Sequence, residues 1–176
     1  MVGARSCSRS TSSSPSAVEA SRAAAPADLS RIAELARLMR TELTAMKGGA
    51  LWAVRESRPE PLEDSYGALL DRDDACLLVG TIDDSIIGFG AAEVEQLRSG
   101  ANLGVITDLF VEPEARGVAV GEALAGDLVA FCDRHDCVGI DAFALPGHRS
   151  AKNFFERSGF TARAIIMHRR SGPSDA

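Results

Sequence analysis

Apolar positions along the chain keep two different periods, and each change of period marks an element. Leu29, Ile32, Leu35, Met39, Leu43 and Met46 recur at spacings of three and four. This predicts an amphipathic helix, opened by Pro26 and Asp28 and stopped at Gly48-Gly49. Ahead of it, "AVEASRAAA" reads as an edge strand, and behind it "LWAVRESRPEPLEDSYGALL" is a polar, proline-broken connection with one short helix over 62–70. "CLLVGTI" and "SIIGFGAAEVEQL", joined by Asp83-Asp84, then predict an antiparallel hairpin, and "LGVITDLFV" a third strand. Val120, Leu124, Leu128 and Phe131 restore helical spacing. A strand "VGIDAFAL", a Pro146-Gly147 break, a helix "HRSAKNFFERS" and a closing strand "TARAIIMHR" complete the series. The order strand, helix, helix, three strands, helix, strand, helix, strand predicts an α/β fold. Its mixed, mostly antiparallel central sheet is flanked by helices and includes one strand-helix-strand crossover.

Composition narrows the function classes. At 176 residues, 45% hydrophobic and 25% charged, the chain has the make-up of one globular domain, expected over 17–170. Residues 1–16 are Ser/Arg-rich without an apolar core segment, so a disordered tail is expected there, with a flexible terminus over 171–176. The net charge of −6 argues against a nucleic-acid partner. No apolar run approaches the ~20 residues of a membrane span, so no membrane is expected. Cys7, Cys76, Cys132 and Cys137 form no regular framework, which fits reduced thiols in a cytoplasmic protein.

The stretch "VEPEARGVAVGEAL" carries the chemistry. If a helix begins near Gly117, the amides of 117–121 are first-turn donors without an intrahelical acceptor, placed at the positive end of the helix dipole. Small side chains there would let a diphosphate approach the backbone, with Arg116 adding a charge-assisted contact. The same residues also read as a simple tight helix start. No Lys-Ser/Thr pair follows Gly121, which argues against a nucleoside-triphosphate loop, and the glycine spacing does not match the dinucleotide fingerprint.

"DLFVEPEARGVAVGEAL", followed by "SAKNFFERSGF", resembles the two signature segments of the GNAT superfamily of acetyl-CoA dependent N-acetyltransferases. The resemblance covers 18–169. It implies strands splayed apart at an acyl-CoA cleft, acetyl-CoA as co-substrate, and a primary amine of a small molecule or protein as acceptor. It places the pyrophosphate on Arg116, Gly117, Val118, Ala119, Val120 and Gly121, and pairs the pantetheine arm with the backbone of Leu109, Phe110 and Val111. Two departures stand out. Ala119 replaces the usual glycine, and Phe155, expected beside the cofactor, replaces the tyrosine that protonates the leaving thiolate. His148 stands where asparagine is usual. A homodimer is compatible with the family, and a non-catalytic acyl-CoA binding or regulatory module of the same fold is the alternative reading.

Asp108 matches the position where the family often carries a carboxylate base; by itself it reads equally as a strand carboxylate bonded to a neighbouring backbone group or an arginine. Asp141 is a thinner candidate for the same gap, Tyr66 for a substrate contact, and His168 reads as structural. The acidic cluster Glu56, Glu60, Glu63 and Asp64 points to a cationic acceptor if it is more than a solvated face. Cys132, His135 and Cys137 lack a second ligand pair, so no metal is expected.

Overall fold

The computed structural model describes residues 19–117 and 119–169; the expected tail 1–16, Val118 and the terminus 171–176 lie outside the described residues. Strand β1 (Glu19–Ala23) leads through a 3-10 turn at Pro26–Asp28 into α1 (Leu29–Thr44). Then follow α2 (Gly49–Arg55), α3 (Leu62–Leu70), β2 (Ala75–Ile82), β3 (Ser85–Gln96) and β4 (Asn102–Val111). Helix α4 (Val120–Arg134), β5 (Cys137–Ala142) and α5 (Arg149–Arg157) complete the order. The strands pair in chain order. The first four are antiparallel, and the return through α4 sets β5 parallel to β4. Among the described residues no helix is long and apolar enough to cross a membrane.

The β2–β3 turn follows from its residues, since Asp83 and Asp84 both take positive φ as a tight hairpin turn requires. β2 is buried on both faces because helices cover both. Leu77 and Val79 join α1 and α3 in one core with Ile32, Leu35, Leu62 and Tyr66, while Leu78 joins α4 in the other with Val120, Leu124, Leu128 and Phe131. Glycines in three successive strands form the trough in which α4 lies. An added Cβ would come within 3.0 Å of Leu124 at Gly80, 2.9 Å of Leu128 at Gly90 and 2.8 Å of the Cys132 Cβ at Gly104.

Two irregularities in β4 position the site. Opposite β3, Ala91 pairs with Asp108 and Ala92 with Ile106, so Thr107 is a one-residue bulge. The bulge reverses the strand's facing: Gly104 and Ile106 pack toward α4, whereas Phe110 joins the α1–α3 core and Asp108 meets Tyr66 of α3. On the other side, pairing with β5 stops at Ile106–Ala142 while β4 runs on to Val111. The strands therefore part over 107–111.

Four expectations need correction. Gly48, at φ +84°, turns the chain, but a further helix α2 follows it, anchored by the buried Trp52. α4 starts at Val120, not at Gly117, because Gly117 at φ +97° still belongs to the turn. β5 ends at Ala142, so 143–145 lie outside the strand. The closing strand over 161–169 does not form; the segment is exposed and unpaired, with Ile165, Ile166 and Met167 each more than 70% exposed. Its apolar residues fall on both faces, and α5, which buries none of its own residues, provides no cover for them.

Candidate active site

A cleft of about 590 Å³ opens where β4 and β5 part. One wall is β4 from Ile106 to Val111, another is Phe143 to Leu145 with Ala151, Phe154 and Phe155 of α5, and Glu42, Leu43 and Trp52 of α1 and α2 line the side opposite. At one end lie Arg116, Gly117, Ala119, Gly121 and Glu122. Val120 turns fully into the core, which fixes the helix start and leaves its small neighbours facing the cleft. The amides of Val120, Gly121 and Glu122 are the first-turn donors of α4. The Arg116 side chain does not stand free at this end. It forms a bidentate pair with Glu42 at 2.6 and 3.1 Å, donates from Nε to the Val111 carbonyl at 3.0 Å and stacks over Phe110.

Asp108 lies at the floor of the cleft, buried and held by three side-chain donors. Its Oδ1 accepts from the Tyr66 hydroxyl at 3.0 Å, and its Oδ2 from Arg58 Nε at 3.0 Å and Thr107 Oγ1 at 2.9 Å. Arg58 also reaches Glu93 at 2.7 Å, and Arg72 holds the other Glu93 oxygen. Burial works against the Arg58 charge, yet the charges of Asp108 and Glu93 outweigh it and raise the guanidinium pKa further. Burial, together with the charge of Asp108, raises the Tyr66 phenol well above its ordinary range, so the hydroxyl keeps its proton as a fixed donor. His148, at the N-terminus of α5, is 3.9 Å from Glu42. Burial lowers its pKa, Glu42 opposes this and Arg116 reinforces it, which leaves the imidazole neutral at pH 7.

The sequence profile of the acetyltransferase (GNAT) family matches residues 35–160. The chain belongs to this family. Solved structures of the same fold include glucosamine-6-phosphate N-acetyltransferase from Arabidopsis thaliana, with TM-score 0.63 and 19% identity over 87% of this chain and 98% of that one. AAC(6')-Iy in complex with a bisubstrate analogue gives 0.67 and 16% over 89% and 99%. The tetramutant of the BH1408 protein from Bacillus halodurans gives 0.73 and 18% over 86% and 99%. No curated protein matches the sequence significantly.

Within this GNAT domain the expected site residues divide clearly. Asp108, Leu109, Phe110, Val111, Arg116, Gly117, Ala119, Gly121 and Phe155 all line the one cleft; Val120 packs beneath it. Tyr66 stands behind Asp108 and not in the cleft wall. Asp141 is taken by Arg163, and His168 lies in the exposed segment. Of the acidic cluster, Glu60 and Glu63 pair with Arg37 and Arg40, and Glu56 with Arg55. His135 has Nδ1 3.0 Å from the Phe131 carbonyl and Nε2 2.9 Å from that of Asp73, a clamp on the α4–β5 turn. Sequence reasoning missed Arg58 and Glu42. Glu42 lies beside the apolar stripe of α1, between Met39 and Leu43, where its position was a usable signal; Arg58 lies in an irregular connection and gave none.

Proposed function

We propose that this GNAT chain transfers an acetyl or related acyl group from acetyl-CoA to a primary amine of a small molecule or protein by direct attack. The observation that carries the reading is the open edge of β4, beyond its pairing with β5, running up to the N-terminus of α4 along one cleft. A volume of about 590 Å³ falls within the range of small-molecule sites, ~300–1,000 Å³. The small residues Gly117, Ala119 and Gly121 leave the backbone approachable to a diphosphate. In this reading residues 116–121 hold the pyrophosphate, the backbone of Leu109, Phe110 and Val111 adds the pantetheine arm as a strand would, and Phe155 packs beside it.

Bound acetyl-CoA would supply an activated thioester. The chain's own residues supply position and proton handling. The amine must be neutral to attack, and Asp108, directly or through a water, takes the proton it loses. Arg58, Tyr66 and Thr107 hold that carboxylate in one orientation. The thiolate leaves as the C–S bond breaks and takes its proton from solvent, since Phe155 has none to give. The loss of that acid and the three donors already held by Asp108 favour the second reading, a binding module without turnover.

Calorimetric titration with acetyl-CoA, paired with a thiol-release assay over a panel of amines, separates these readings. Binding that is lost in Ala119→Asp, together with turnover that is lost in Asp108→Asn, supports the enzyme. Binding without turnover supports the module, and absence of binding by folded protein refutes both. Full turnover in Asp108→Asn across pH removes that residue as the base.

A further inference from the structure

Away from β4 the cleft is apolar. Met39 and Leu43 of α1 and Trp52 of α2 line the side opposite, and Phe143 and Leu145, beyond the end of β5, adjoin them. Met39, Trp52 and Leu145 belong to one core cluster, whereas Phe143 is 45% exposed. Among the described residues three carboxylates line the cleft, and none stands free on this side. Glu42 is taken by Arg116, Asp108 is held by three donors, and Glu122 lies in the first turn of α4 at the phosphate end. Glu56, Glu60, Glu63 and Asp64 line no part of it. A polycationic acceptor would therefore lose hydration against hydrocarbon without gaining a partner charge.

Trp52 adds one polar group to this surface. The residue is 7% exposed, and among the described residues its indole N–H meets no acceptor, yet that nitrogen is not sealed from solvent as the Ser21 Oγ is. The side chain lines the cleft, so the donor opens onto it. Buried indoles usually have their N–H satisfied, and an unpaired one on a cleft wall marks a place for a ligand atom. We propose, building on the acyl-transfer reading, that the acceptor is a primary amine on an uncharged, largely apolar body, aryl-alkyl or alkyl. The body seats on Met39, Leu43, Trp52, Phe143 and Leu145, with its amino end toward Asp108. The Trp52 N–H donates to an oxygen on that body, which makes Trp52 a specificity-determining residue.

Trp52 is the one tryptophan of the chain, so its emission reports this wall. The full chain, alone and saturated with CoA, is titrated with 2-phenylethylamine, its hydroxy- and methoxy-substituted forms, spermidine and a lysine-containing peptide, and thiol release from acetyl-CoA is followed in parallel. The aryl amines are expected to change the emission saturably and to exceed spermidine and the peptide in kcat/KM by about tenfold or more. Along a series of n-alkylamines kcat/KM should rise about fourfold per methylene until the wall is filled. Trp52→Phe keeps an apolar wall and loses the donor. It should cost the best oxygen-bearing amine about threefold to tenfold and leave 2-phenylethylamine nearly unchanged. An equal loss for both overturns the role of the N–H. Turnover of spermidine or the peptide without an emission response to aryl amines overturns the inference and leaves the transfer reading intact. A saturable response without thiol release from any amine upholds the apolar amine site and counts only against turnover.

Discussion

Replacing Arg58 by methionine removes the cation shared by Asp108 and Glu93 while keeping most of the buried stem. Glu93 retains Arg72 at 2.6 Å, but Asp108 keeps only the hydroxyl donors of Tyr66 and Thr107. Removing one partner of a buried ion pair costs about 3–5 kcal/mol, because the remaining charge stays desolvated. The Asp108 side chain is 5% exposed and that of Arg58 15%, so the pair counts as buried; the two remaining hydroxyl donors place the loss at the lower end, about 3 kcal/mol. For a domain of this size each kcal/mol shifts the melting temperature by about 2–4 °C, giving a fall of about 6–12 °C.

The assay is urea and thermal unfolding at pH 7 without ligand, for Arg58→Met and for Arg58→Met/Asp108→Asn. The double variant leaves no unpaired charge on β4 and should regain at least half of the lost stability. A loss below about 1 kcal/mol in the single variant would mean that Asp108 is better solvated than its burial indicates. A double variant as unstable as the single one would show that lost packing, not the orphaned charge, carries the cost.

Glu42→Gln releases Arg116 from its bidentate pair and should tighten acetyl-CoA binding severalfold by calorimetry; unchanged affinity would show that Arg116 does not turn to the phosphates. Gly104→Ala presses a methyl on Cys132 and should cost about 1–3 kcal/mol in urea unfolding, whereas a neutral result would mean that α4 can shift outward. The Arg22 side chain donates two bonds to Asp28 and lowers its pKa below the ordinary 3.8. That stabilisation is complete above the unfolded value and is lost as pH falls through the folded one. Asp28→Asn should therefore flatten the decline of unfolding midpoints below pH 3.8, and an unaltered decline would remove the pair as its cause.

What was legible in the sequence was local. The stripe Val120, Leu124, Leu128 and Phe131 fixes α4 because one face must fit the glycine trough, and Asp83-Asp84 fixes the hairpin because both residues tolerate positive φ. The helix α2 escaped notice because one anchor, Trp52, buries a segment too short to display a period. The closing strand expected over 161–169 does not form, because an apolar pattern does not name the edge it would pair with. Glu42 and Arg116 are 74 residues apart, and Arg58 and Asp108 are 50 apart, separations at which no spacing rule operates.

The bulge at Thr107 explains why the candidate base could be named but its environment could not. Strict alternation from Gly104 and Ile106 would aim Asp108 at α4, among Leu124 and Leu128, where a carboxylate would have no donor. One extra residue turns it to the opposite face, where Arg58, Tyr66 and Thr107 converge on it, and the same irregularity lies where β5 leaves β4. Deleting Thr107 would therefore remove one donor to Asp108 without turning it, since Ala92–Ile106 and Ala91–Asp108 would become consecutive regular pairs and Asp108 and Phe110 would keep their face. The cleft floor and the α1–α3 core are thus set by one register decision in β4.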